Sequence, residues 1–193
     1  LLTFLLDLLG NDPAVRREHR WQDRGNPAVH QEHATSNILN LGGLHAQGAR
    51  TIEDLLAANL HRTREEPEQL AGGTVRVHNW RLEGALPAVL TIQLNRFNFS
   101  TLFARVFKLK EKITAGLNLT IPGTLTDNGA AVNYRLSSFI LHIGESTSSG
   151  HYISYQRRGD AWLLVNDAEV YRVTPEEVQS KVQDAYLLSY ERA

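Results

Sequence analysis

The segment Gly144-Glu145-Ser146-Thr147-Ser148-Ser149-Gly150-His151-Tyr152 is where this chain could do chemistry. A loop of small residues delivers His151 to the first position of a strand. Flexible backbone and missing bulk let a substrate chain pass close to the imidazole. A general base needs a pKa near neutrality and an open ring edge, and histidine meets both needs. A base must also be oriented. A side-chain oxygen on one ring nitrogen fixes the tautomer and leaves the other to take a proton. Asn166 and Asp167 stand where they could supply that oxygen, at the end of the next strand. The same residues have plainer readings: a histidine at a strand start can be a packing residue, and Asn-Asp after a strand is a common turn. His142 lies between Leu141 and Ile143 and reads as a strand residue rather than a second base. His30 and His33 are three apart, with no third ligand in view, so no metal site is expected. The 193 residues include no cysteine, which excludes disulfides, thiolate metal sites and a thiol nucleophile within them.

The elements that must position these residues can be read from periodicity and turn chemistry. Tyr134 to Ile143 is a strand. His151 to Arg157 and Ala161 to Asn166 form a hairpin across Arg158-Gly159-Asp160, which returns Asn166 towards His151. Thr174-Pro175-Glu176-Glu177 opens a short helix, with Thr174 as cap and Pro175 in the first turn. Ala185 to Glu191 closes the chain as a strand. Upstream, Pro87 to Phe97 is a strand with Leu90, Ile92, Leu94 and Arg96 on one face. Thr74 to Leu82 alternates as another. Thr51-Ile52-Glu53-Asp54 is a capping box before a helix whose apolar face is Ile52, Leu55, Leu56 and Leu60. Thr35 to Leu44 reads as a strand entering a glycine turn, and Leu1 to Leu9 as a short buried helix. Asn11 to His33 is polar and without clear period, and reads as a loop or mobile insertion, with Arg16, Arg17, Arg20 and Arg24 as a solvated face.

Bulk properties bound the remaining choices. The length fits one domain with a substantial core. A net charge of −1 gives no basis for electrostatic binding to nucleic acid or anionic lipid. The longest apolar runs, such as Leu117 to Ile121, fall far short of a membrane span. The opening on Leu1 and the lack of methionine suggest a fragment, or a chain whose sulfur residues have been left out.

Taken together, Tyr134-Arg135-Leu136, His142-Ile143-Gly144, Gly150-His151-Tyr152, Trp162 to Asp167, Val170 and Ala185 to Tyr190 closely resemble the histidine box of the ubiquitin-specific proteases. Leu86 to Phe97 is similar to that family's strand before its ubiquitin-contacting region, and Lys108-Leu109 to its following Lys-Leu. Thr51 to Leu60 resembles its short helix at the base of the fingers, and Leu1 to Leu9 the helix after its glutamine-aspartate box.

The resemblance implies an α+β, papain-like cysteine peptidase fold with a mainly antiparallel palm sheet over 73–193. Residues 1–72 would hold a thumb-side helix, an insertion and a connecting helix, all within one partial catalytic domain. It implies cleavage after the C-terminal glycine of ubiquitin through an acyl-enzyme. His151 would be the base, Asn166 the third triad member and Asp167 an assistant. Gly144, Glu145, Ser148, Ser149, Gly150 and Tyr152 would line the channel for the ubiquitin tail. The partner would be ubiquitin or a ubiquitylated protein, in the cytoplasm or nucleus, or in a host cell for a pathogen's effector. The nucleophilic cysteine and its oxyanion partner would lie outside these residues. Many family members carry paired Cys-x-x-Cys zinc ligands in the fingers. Leu60 to Leu82 has none, so no zinc, no other cofactor and a reduced or absent finger are expected. Two other readings stay open: an inactive module that binds ubiquitin or a scaffold partner, and a hydrolase for ester-linked ubiquitin or another ubiquitin-like modifier.

Overall fold

Strand β6 (Val89–Leu94) is a buried strand of the principal sheet in the computed structural model, which describes residues 15–23, 28–44, 50–60, 65–67, 75–101, 104–146 and 149–193. Leu90, Ile92 and Leu94 are fully buried and Thr91 nearly so. Both edges of β6 are paired, because it lies between β14 (Leu187–Arg192), antiparallel, and the short parallel strand β3 (Leu39–Leu41). The principal sheet continues from β14 to β10 (Val132–Ile143), β11 (His151–Arg158), β12 (Ala161–Asn166) and the edge strand β13 (Glu169–Val173). Strand β9 (Asn118–Ile121) pairs with the start of β10 on the edge opposite β14, the edge that β11 takes further along. All pairings except that of β3 are antiparallel, which gives the α+β class expected of the chain.

Two helices brace this sheet. In α1 (Ile52–Leu60), Ile52, Leu55, Leu56 and Leu60 are buried, the apolar stripe visible in the sequence. Its start is a reciprocal box: Thr51 Oγ1 accepts from Asp54 N at 3.0 Å, and Asp54 Oδ2 accepts from Thr51 N at 2.9 Å. Those bonds to ionised Asp54 hold its carboxyl below the usual carboxylate range, the Arg50 backbone N–H contributing most. Helix α2 (Pro175–Lys181) begins at Thr174, whose side chain accepts from Glu177 N at 3.2 Å. Glu177 in turn accepts from the Tyr155 hydroxyl at 3.1 Å, which pins α2 to β11. Burial, with Glu177 beside it, pushes the Tyr155 hydroxyl up to about 12. The Tyr155 ring stacks on Phe139 at 4.6 Å.

A second sheet has the order β2 (Val29–Ser36), β1 (Val15–Asp23), β5 (Val75–Glu83), β4 (Glu65–Pro67). It corrects the reading of Asn11 to His33 as a loop. Strand β1 pairs with both β2 and β5 along its length. Its polar residues conceal it: backbone pairing with a distant segment makes the strand, and Val15 is its one buried apolar side chain among those described. Of this sheet, β4 and nearly all of β5 fall in Leu60 to Leu82, the segment where a reduced or absent finger is expected. Strands β13 and the hairpin β7 (Phe97–Ser100) and β8 (Arg105–Lys108) also go beyond the sequence reading. The expected helix Leu1 to Leu9 lies outside the described residues.

Candidate active site

Two hairpins converge on one end of the principal sheet. In the first, Ile143 is the Cα partner of His151, so the loop 144–150 leaves and re-enters the sheet at that pair. Its neck is tight. A Cβ on Gly150 would stand 2.1 Å from His142 Nε2, and one on Gly144 would stand 2.9 Å from Gly150 Cα. Only glycine fits at either position without moving the neck. Within the loop, Ser149 N donates to Ser146 Oγ at 3.2 Å.

The second approach comes from β12. The two-residue turn Gly159-Asp160 pairs Arg158 with Ala161 and sets Ser154 opposite Val165. Continuing that register puts Asn166 on the diagonal from His151, on the same face. Their side chains meet: His151 Nε2 and Asn166 Oδ1 are 2.5 Å apart. An amide oxygen only accepts, so Nε2 carries the hydrogen and Nδ1 keeps the lone pair. Nδ1 has no hydrogen-bond partner among the described residues. The ring is about two-fifths exposed, its side chain at 42%. Asp167 follows in the β12–β13 turn with a left-handed φ of 53°, and its Oδ2 lies 4.0 Å from the same Nε2. At that distance and exposure it acts on a protonated ring through space rather than as the orienting acceptor.

The remaining expected channel residues fall around this pair in different ways. Tyr152 projects from the opposite face of β11, half-exposed, with its ring 4.8 Å from that of His142. Glu145 pairs with Lys110 at 3.0 Å on the surface. Ser149 and Gly150 belong to the loop and its neck, and Ser148 lies outside the described residues. His142 is buried, with Nδ1 unpaired among the described residues, as suits a strand residue packed on Phe97. His30 and His33 stand on the second sheet, His33 against Glu83 at 2.8 Å. No cluster among the described residues could hold a metal ion.

Two residues that sequence reasoning passed over support this end of the sheet. Arg96, almost fully buried, donates to the carbonyls of Ala185 at 2.6 Å, Glu111 at 2.7 Å and Gln183 at 2.8 Å. Its place on the apolar face of the Leu90-Ile92-Leu94 pattern was the available signal. Burial pushes its pKa down, against the nearby Asp184 and Glu111 carboxylates. Lys108 donates to His142 O and to Gly144 O. A cleft of about 450 Å³ opens between these cations and the β10–β11 strands.

Comparison with known proteins bears on the family and the fold. A 38% identity over 108 residues relates the chain to ubiquitin carboxyl-terminal hydrolase cyk-3 of Caenorhabditis elegans, covering 55% of this chain and 9% of that protein. Ubiquitin carboxyl-terminal hydrolase 3 of Saccharomyces cerevisiae is 26% identical over 152 residues, 63% of this chain and 17% of that one. The chain thus spans well under half the length of these relatives. In fold it resembles the yeast SAGA DUB module with an Sgf73 Y57A mutant, with a TM-score of 0.75 at 21% identity over 93% of this chain and 40% of the other. A Ubp8/Sgf11/Sus1/Sgf73 DUB module bound to ubiquitin aldehyde matches equally, with a TM-score of 0.75 at 21% identity, covering 93% of this chain and 41% of that one. No described helix is long and apolar enough to cross a membrane. The family profile of ubiquitin carboxyl-terminal hydrolases matches residues 30–190, and by that match across most of its length the chain belongs to this family.

Proposed function

We propose that this chain supplies the histidine half of a cysteine-type deubiquitinase acting after the C-terminal glycine of ubiquitin. The observation that carries the reading is the 2.5 Å contact between His151 Nε2 and Asn166 Oδ1, which leaves Nδ1 open as a base. The nucleophile is a cysteine outside the 193 residues. His151 Nδ1 takes the thiol proton, and the thiolate adds to the scissile carbonyl. The imidazolium, held by Asn166 and faced by the Asp167 carboxylate, returns that proton to the leaving amine. Water, deprotonated at the same nitrogen, then hydrolyses the thioester and frees ubiquitin and the thiol. The loop 144–150 borders the passage for the ubiquitin tail, and its small residues suit a diglycine end. The partner is ubiquitin or a ubiquitylated protein, met in the cytoplasm or nucleus. The principal sheet, from Val89 onward together with β3, serves as the palm of the catalytic domain, and β5 of the expected 73–193 palm segment lies in the second sheet.

Hydrolysis of a ubiquitin C-terminal fluorogenic reporter by the full-length polypeptide tests this. His151→Ala should lower kcat/KM by about 10²–10⁴-fold, the usual contribution of a positioned base. Asn166→Leu should lower kcat, whereas Asn166→Asp should retain most of it. An inactive parent that still binds ubiquitin would replace this reading with that of a binding module.

A further inference from the structure

Strand β10 extends further than its neighbour. Ile140 O accepts from Tyr186 N at 2.8 Å, just before β14 begins at Leu187. Carbonyls on a strand alternate sides, so those of residues 142 and 144 face the same way as that of Ile140. Beyond Tyr186 no strand among the described residues is left to pair them. An unpaired carbonyl away from water is costly, and a strand end with two of them would fray. Here one ammonium takes both: Lys108 Nζ donates to His142 O and, at 3.1 Å, to Gly144 O.

Two further contacts tie the β7–β8 hairpin and the residues just after it to this strand end. Lys108 is the Cα partner of Phe97, and the Phe97 ring meets the His142 ring edge-on at 5.4 Å. Lys110, just past the hairpin, pairs with Glu145 at 3.0 Å. The segment is itself anchored, because Arg96 O accepts from Leu109 N at 2.6 Å and the Arg96 guanidinium holds the Glu111 carbonyl. Residue 143, between the two carbonyls that Lys108 binds, is the ladder partner of His151.

We propose that Lys108 is a positioning residue for His151: its ammonium replaces the missing strand at the neck of loop 144–150 and so fixes the base against Asn166. The catalytic consequence rests on the deubiquitinase reading above; the structural tie does not. Burial, and then the Arg96 charge, pull the Lys108 pKa below its usual value, as expected of an ammonium set into a neck rather than left in solvent.

The test compares Lys108→Met and Lys108→Arg with the parent in the full-length polypeptide, by amide hydrogen exchange and by reporter hydrolysis. Exchange of residues 142–151 should quicken at least about tenfold in the Met variant, with β6 and α1 unchanged. Its kcat should fall roughly 10- to 100-fold while KM stays within about twofold, and Arg should restore most of both losses. Should the Met variant fail to fold, Lys108→Gln, whose donor is neutral and on a shorter stem, should show smaller losses of the same sign, and no loss at all in that variant would overturn the proposal. Unchanged exchange at the neck would overturn the proposal, as would a rise in KM with kcat intact. If the parent proves inactive, the deubiquitinase reading fails, and quickened exchange still upholds the tie while unchanged exchange still refutes it.

Discussion

His142 and His151 sit on the same hairpin and face opposite ways, and that difference separates their chemistry. His151 has one nitrogen committed to Asn166 and one open. His142 is buried under Gly150 with no partner for Nδ1 among the described residues, so a proton there has nowhere favourable to go. Burial first, and the Lys108 ammonium second, push its pKa below 6.5. The unfolded chain therefore binds a proton at this residue at a pH where the folded chain does not. Stability is undiminished above the unfolded value and falls as pH drops below it, until the folded group also protonates. Between about pH 7.5 and about pH 5.5 the wild type should lose more urea resistance than His142→Phe. Parallel curves for the two proteins would assign that acid sensitivity elsewhere. From sequence the hairpin brings either Asn166 or Asp167 back towards His151 and the family resemblance favours Asn166; the register of the two-residue turn puts Asn166 on the diagonal. Lys108 could not be named from sequence, because its role depends on where another strand stops.

At the scale of elements, caps and turns were legible and long-range pairing was not. Thr51 with Asp54 and Thr174 with Pro175 and Glu177 are local signals, and both helices begin where those residues place them. Removing the second cap by Thr174→Ala should cost about 0.5–2 kcal/mol in chemical denaturation. Part of that loss should appear as weaker anchoring of Tyr155, since Glu177 serves both contacts. A near-zero change would mean that packing of Val178 alone holds α2. Strand β1 shows the opposite case. Its sequence has no clean period of two, and it is held as a strand by pairing on both edges, with β2 next in the chain and with β5, some sixty residues downstream by the ladder of Arg16 with Glu83 and its successors.

Over the whole molecule, stability should follow depth in the principal sheet. Leu94 is fully buried in β6, which is paired on both edges, and Leu94→Ala should cost about 2–5 kcal/mol. Val170 is more than half exposed on the edge strand β13, and Val170→Ala should stay within about 0.5 kcal/mol. Equal losses from the two substitutions in denaturant would contradict the burial gradient. Arg96 belongs to this scale as well. One cation joins the end of β6 to the 109–111 segment and to the stretch before β14.

The sequence by itself determined the histidine loop, its two hairpins, the helix starts, the buried apolar strand and the family to which they belong. Each depends on neighbours within a turn or a hairpin, where residue type and spacing act directly. Tertiary structure alone decided that Val15–Asp23 and Val29–Ser36 are strands, that Lys108 completes a ladder, and that Nε2 rather than Nδ1 of His151 meets Asn166. Those outcomes depend on which backbone and side-chain groups face one another once the sheets have formed, and local composition carries no record of that.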